Sequence, residues 1–152
     1  MVNYPNEIAG LRQWICWRLE PDPKSEKPRK IPYDPKTGRK ASSTNPDTWA
    51  SLAEAQAARD KYMFTGIGFV FTEDCGLVGV DIDHCRNEDG SWNECASAIL
   101  EKWPSYTEVS PSGSGLHIIY RGAMPGKGNK NSTSGVEMYA VARYFTMTGN
   151  HL

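Results

Sequence analysis

The chain has 152 residues, a net charge of −1, 39% hydrophobic and 11% aromatic residues. That is one domain's worth of chain with material for a proper core, which excludes a disordered polymer. No apolar run approaches the ~18 residues that cross a bilayer, and the opening MVNYPNEIAG lacks a charged-then-apolar leader, so a soluble, cytoplasmic protein without a membrane partner is expected.

In chain order, QWICWRLE (13–20) alternates apolar and polar residues as a strand does. The next 28 residues, 21–48, carry six prolines and predict an extended excursion with a short strand at Lys30–Tyr33 and a turn at DPKTGR. Cap-like residues and an alanine-rich run predict a helix from about Thr48 to Lys61. GIGFVFT (66–72) and CGLVGVDID (75–83) read as a hairpin closed by EDCG. ECASAILEKWP (94–104) reads as a helix stopped by Pro104, and YTEVSPS, GLHIIYRG, GVEMYA and RYFTMTG as short strands. The order predicts an α+β chain with a mainly antiparallel sheet.

The charge is uneven. Lys24, Lys27, Arg29, Lys30, Lys36, Arg39 and Lys40 stand against Glu26 and Asp34, so this strip is about +5 and the remainder about −6. A phosphate-binding surface has this look, and so does a solvated loop. The cysteines at 16, 75, 85 and 95 show no C-x-x-C spacing. A zinc site from His84, Cys85 and Cys95 fits no zinc pattern, so reduced thiols in or near a core are expected.

Three stretches carry chemistry. In LVGVDIDHC (77–85), strand alternation would put Asp81 and Asp83 on one face, with Cα atoms about 6.5–7 Å apart. Two carboxylates ending an apolar strand repel and lose solvation, so something positive should lie between them. In SPSGSGLHIIYRG (110–122), Ser112, Gly113, Ser114 and Gly115 form a small turn running into His117. Such turns offer backbone N–H groups to an anion, though many are only turns. In SGVEMYAVARYFTMTG (134–149), Glu137 is either a third carboxylate facing the pair or a solvated strand residue. Together these are the parts of two-metal phosphoryl transfer, in which carboxylates bridge Mg²⁺ or Mn²⁺ ions about 3.5–4 Å apart and the metal charge offsets carboxylate repulsion.

With those motifs in place, the chain resembles over nearly its whole length the primase-polymerase (prim-pol) domains of the archaeo-eukaryotic primase superfamily, in their phage and plasmid replication form. VGVDIDHC is similar to the first metal-binding motif, SPSGSGLHII to the Ser/Gly-His motif, and GVEMY followed by ARYFTMTG to the third, with Glu137 where many members carry Asp. The N-terminal QWICWRLE…KPRKIPYDPKTGRKASSTNPDTWASLAEA is also similar to that region of the family. The resemblance implies an RRM-like, mainly antiparallel catalytic sheet with a smaller N-terminal α/β unit, divided at about 1–65 and 66–152, as a single catalytic domain excised from a longer replication protein. It implies DNA primase or polymerase activity on a single-stranded DNA template with dNTP or NTP substrates, a helicase region or partner, and a prokaryotic host cytoplasm. Asp81, Asp83 and Glu137 would hold Mg²⁺ or Mn²⁺. His117 would contact the nucleotide phosphates, with Ser112, Gly113, Ser114 and Gly115 holding them; Arg143, and less strongly Arg121, are further phosphate candidates. The strip Lys24–Lys40 would follow the template, with Trp14, Trp17, Tyr33 or Trp49 as stacking partners, core packing being the alternative for the two strand tryptophans. Lys127 and Lys130 sit in a loop that either closes on substrate or is merely solvated, and Tyr139 and Tyr144 are candidates for sugar choice. Two rivals use some of the same parts: a nucleic-acid-binding replisome module with an idle site, and a D-x-D glycosyltransferase, whose α/β nucleotide-binding fold suits the strand-rich C-terminal half poorly.

Overall fold

The computed structural model describes residues 2–124, 128–131 and 134–152, with 128–131 as backbone only. Two compact units divide the chain: Tyr4–Val70, and Phe71–Leu152 with the residues before Tyr4.

In the first unit, β1 (Trp14–Glu20) lies between β2 (Arg29–Tyr33) and β3 (Gly66–Phe71), antiparallel to both. The short α1 (Asn6–Ala9) precedes β1, and α2 (Leu52–Tyr62) lies between β2 and β3 in sequence. Trp14, Ile15, Cys16 and Trp17 are all buried, so both faces of β1 are covered there. The buried indoles keep partners, with Trp14 Nε1 donating to Ile8 O at 3.0 Å and Trp17 Nε1 to Ile67 O at 3.0 Å. Core packing therefore holds for both. Trp49 is also buried, donating to Ser42 O at 2.7 Å, which corrects its reading as a stacking platform. Tyr33 is half-buried under the Arg18 guanidinium, 5.1 Å from its ring centre. The helix begins at Leu52, four residues later than predicted, because Ser51 and Glu54 form a capping box and residues 46–48 make a separate 3₁₀ turn.

In the second unit, five antiparallel strands run in the order β5-β6-β4-β8-β7: β4 (Leu77–Ile82), β5 (Tyr106–Val109), β6 (Leu116–Arg121), β7 (Gly128–Asn131) and β8 (Val136–Tyr139). β9 (Arg143–Met147) follows, and residues 150–152 bridge to the edge of β5 through Glu108 and His151. The helix α3 (Glu94–Lys102), capped by Asn93, covers one face over Val80, Ile82, Cys85, Val109, Leu116 and Ile118. On the other face Phe145 and Phe71 pack over Gly79, ring centres 5.0 Å apart.

The predicted 66–83 hairpin does not form. β3 and β4 belong to different sheets, joined by a 3₁₀ turn at Glu73–Cys75. Both runs are buried nearly throughout, and each has longer-range partners to satisfy its backbone groups. β7 is a strand where the sequence predicts a loop; it holds Lys130, and Lys127 lies outside the described residues. The α+β class and the antiparallel pairing are as predicted. No described helix is long and apolar enough to cross a membrane.

Candidate active site

Asp81 is the last polar residue of β4. Across one ladder it faces His117 on β6, across the other Glu137 on β8, and His117 in turn faces Glu108 on β5. Directly opposed residues of antiparallel strands share a face, so Glu108, His117, Asp81 and Glu137 form one row over four strands. Val80 and Ile82 alternate to the α3 face, which leaves Asp81 on the opposite one.

The side chain nearest Asp81 across the β6 ladder is an imidazole, a group that carries positive charge only when protonated. His117 Nε2 lies 3.5 Å from Asp81 Oδ1, with side chains 7% and 20% exposed. His117 Nδ1 is 3.0 Å from Thr146 O. A carbonyl only accepts, so Nδ1 carries the proton and Nε2 is turned to the carboxylate. The ring stacks on Phe145 at 4.6 Å and 23°. His117 is thus held from three sides.

Asp83 differs from expectation. β4 ends at Ile82, and Asp83 opens a turn, exposed, followed by His84 at φ 50. The two aspartates are not both strand positions, since the backbone leaves the sheet between them. The turn is tied to the start of β8, with Asp83 N–H donating to Gly135 O at 3.0 Å. Gly135 has φ +72, and a Cβ there would meet Asp83 O at 3.1 Å.

The Ser/Gly turn packs on the same end of β4. Cys85 and Arg86 N–H donate to Ser114 O at 2.9 and 3.1 Å, and a Cβ on Gly115 would lie 2.8 Å from Ile82 O. All three motifs therefore meet at one end of the sheet. The expectation of free amides in this turn needs correction. Gly113 N–H donates to Ser110 O at 2.9 Å, Ser114 N–H to Ser112 Oγ at 3.3 Å, and Gly115 N–H to Ser110 Oγ at 3.1 Å. The small side chains fold back on their own turn, and two of the three acceptors are serine hydroxyls that an anion's oxygens would have to displace.

The weaker candidates lie elsewhere. Arg143 is exposed at the start of β9, its guanidinium 5.0 Å from the centre of the Tyr139 ring. Tyr139 pairs with Gly79, two residues along β8 from Glu137. Arg121 pairs with Leu77, at the opposite end of β6 from the Ser/Gly turn. That register removes Arg121 from the site. Burial pushes the Tyr144 phenol up to about 12. Cys85 is buried in the core, donating to Ile82 O at 3.3 Å, and burial pushes its thiol up to about 11. Among the described residues no group of three or more His, Cys, Asp or Glu side chains is disposed to hold a metal ion.

Within the first unit, Lys24, Lys27, Arg29, Lys30, Lys36, Arg39 and Lys40 are all exposed. Lys36 is engaged structurally: its ammonium pairs with Asp34 at 3.2 Å and donates to Asp47 O at 3.0 Å and to Trp49 O. Arg29 lies 3.7 Å from Asp22.

Sequence reasoning misses Glu108. It is fully buried and accepts from Thr148 N at 2.7 Å, Gly149 N at 3.0 Å and the Tyr106 hydroxyl at 3.0 Å. Burial raises its carboxyl above the ordinary range, opposed by these bonds. It anchors the segment just after Thr146, whose carbonyl orients His117. The only local hint is a charged residue inside a four-residue strand.

No family model matches the chain. It is 41% identical over 147 residues to a protein of Nitratiruptor phage NrS-1 named DNA primase-polymerase. The match takes in 93% of this chain and 20% of the relative, so the chain spans about a fifth of that protein's length. The resemblance read from the three motifs is borne out at that level.

Proposed function

From the kinship of this chain with the phage-type primase-polymerases, we propose that it catalyses template-directed nucleotidyl transfer, as a DNA primase, a DNA polymerase or both. The observation that carries the reading is the register placing Asp81 opposite both His117 and Glu137, at the end of the sheet where the Ser/Gly turn lies. Asp81, Asp83 and Glu137 supply hard carboxylate oxygens, the donor chemistry that suits Mg²⁺ or Mn²⁺. Bound there, the ions would activate the attacking primer oxygen and stabilise the leaving pyrophosphate.

The chain's own groups do the positioning. Ser112 and Ser114, with the Gly113 and Gly115 backbone, take the nucleotide phosphates by exchanging hydroxyl acceptors for phosphate oxygens. His117, locked by Thr146 and Phe145, keeps its Nε2 against Asp81 and so sets the polar surroundings of that carboxylate. Arg143 and its stacked Tyr139 are the nearer candidates for the nucleotide's outer parts. Lys24, Lys27, Arg29, Lys30, Arg39 and Lys40 form the template-binding surface, with Lys36 holding its turn. The sheet is read as the RRM-like core of an archaeo-eukaryotic primase. The whole is the catalytic segment of a longer phage- or plasmid-type replication protein, acting beside a helicase region in the host cytoplasm. The antiparallel sheet counts against the glycosyltransferase alternative.

The test is incorporation of labelled dNTPs and NTPs on single-stranded and primed templates with Mg²⁺ or Mn²⁺, for wild type and Asp81→Ala/Asp83→Ala. Incorporation lost in the folded double variant supports the reading. A double variant as active as wild type, or a folded wild type that binds DNA and incorporates nothing, sinks it in favour of an idle binding module.

A further inference from the structure

After the β4 turn the chain makes a closed loop against the Ser/Gly turn. Arg86 and Trp92 bridge as antiparallel partners, Asn87 N–H donates to Ser91 O at 2.8 Å, and Asn93 N–H to Cys85 O at 2.7 Å. The Arg86 amide itself donates to Ser114 O at 3.1 Å. Its side chain is exposed but held: Nε donates to Gly90 O at 3.2 Å, Nη1 to Gly113 O at 3.3 Å, and the guanidinium lies 5.3 Å from the centre of the Trp92 ring. A guanidinium has five N–H donors. The remaining three have no partner among the described residues.

The phosphate site proposed above is short of positive charge. Residues 110–115 contain no cation. His117 is 5% exposed, with both ring nitrogens directed at protein oxygens. The carboxylates Asp81, Asp83 and Glu137 stand at the same end of the sheet, and a nucleoside triphosphate would add about four negative charges to them. Arg121 is at the far end of its strand, and Arg143 opens β9 with its guanidinium over the Tyr139 ring, whereas Arg86 is bonded to the Ser/Gly turn itself.

We propose that Arg86 is a phosphate-binding residue of the nucleotide site, its guanidinium neutralising and orienting the triphosphate of the incoming nucleotide at the Ser112–Ser114 turn. This rests on the nucleotidyl-transfer reading. Three observations support it: the side chain is bonded to the turn that holds the phosphates, it is exposed, and it is already ordered. A planar fork is the geometry that grips phosphate oxygens, and two carbonyls and an indole face remove the rotamer freedom that binding would otherwise cost. A residue serving only to staple the loop would leave its free edge irrelevant to nucleotide.

The experiment has two arms. First, wild-type protein is treated with phenylglyoxal with and without dNTP, and modification at Arg86, Arg121 and Arg143 is read by mass spectrometry. Protection of Arg86 by dNTP, with Arg121 unprotected, is expected. Second, KM and kcat for dNTP on a primed template are measured for Arg86→Gln and Arg86→Lys, with the dissociation constant of a non-hydrolysable dNTP analogue and the thermal midpoint. Arg86→Gln should raise KM and the analogue's dissociation constant about tenfold or more, with template affinity unchanged and Arg86→Lys in between. Incorporation by wild type with Arg86 equally modified in the presence of dNTP overturns the assignment, as does a folded Arg86→Gln with wild-type KM. Should Arg86→Gln fail to fold, the protection result on wild type decides. A wild type that neither binds the analogue nor incorporates nucleotide overturns the nucleotidyl-transfer reading itself, and Arg86 with it.

Discussion

Gly79 offers a direct test of how packing holds the site. It sits in β4 opposite Ile119 and Tyr139. A Cβ there would lie 2.6 Å from two atoms of the Phe145 ring and 2.7 Å from the Phe71 ring. Ordinary carbon contacts are about 3.5–4.0 Å, so Gly79→Ala must push a ring back by about 1 Å. Phe145 has little room to yield, being 3% exposed and stacked on His117. Overpacking of this kind costs about 1–3 kcal/mol, against about 0.5–1 kcal/mol recovered by removing a strand glycine. The net loss is about 1–2 kcal/mol, a fall of about 2–8 °C in thermal midpoint for a chain of this size. Because the displaced ring supports His117, nucleotide incorporation at 25 °C should fall even where the variant is fully folded. Calorimetry and primed incorporation on Gly79→Ala, Phe145→Leu and the double variant measure both effects. The smaller side chain should relieve the crowding, so the double variant should be more stable than the sum of the single losses predicts. A Gly79→Ala midpoint at or above wild type, or strictly additive losses, would refute the packing argument.

Glu108 supplies a pH test. Its carboxyl is raised by burial, so its favourable contribution is complete below the ordinary carboxylate range and is lost as pH rises through the raised value. Denaturant midpoints of wild type relative to Glu108→Gln should therefore favour wild type more at acid pH than at pH 8; the opposite trend would mean that the Thr148 and Gly149 amide bonds outweigh burial. The thiols give a reactivity test: Cys16 and Cys85 are buried and pushed up to about 12 and about 11, whereas Cys75 and Cys95 are half-buried. Brief maleimide treatment of folded protein at pH 8 should label Cys75 and Cys95 alone, and labelling of Cys85 without unfolding would contradict its core position. For the basic strip, Lys27→Ala/Arg29→Ala should weaken single-stranded DNA binding and lower the log–log salt slope by about 0.7 for each phosphate no longer neutralised. An unchanged slope would assign those side chains to solvent.

Much of the local structure is legible in the sequence because its causes are local. Apolar alternation marks β1, and the run ECASAILEK stopped by Pro104 marks α3. The start of α2 is placed four residues early by the sequence reading, which weighs the polar residues at 45–48 and not the S-x-x-E box of Ser51 and Glu54 that sets the helix start. The hairpin fails for a different reason. A short polar connection between two apolar strands looks the same whether the strands pair with each other or with distant partners.

The site divides along the same line. By itself the sequence determined which residues are candidates for the chemistry, since a D-x-D at the end of an apolar strand, a Ser/Gly turn before a histidine and a later acidic strand are compositional facts. Only the tertiary structure decided who faces whom. Asp81 meets His117 and Glu137 through cross-strand register, His117 takes its tautomer from a carbonyl on β9, and Glu108 and Arg86 enter through contacts far away in the chain. Register depends on the summed burial of whole strands. A one-residue slip would turn every side chain to the other face, so no local window of sequence contains that information.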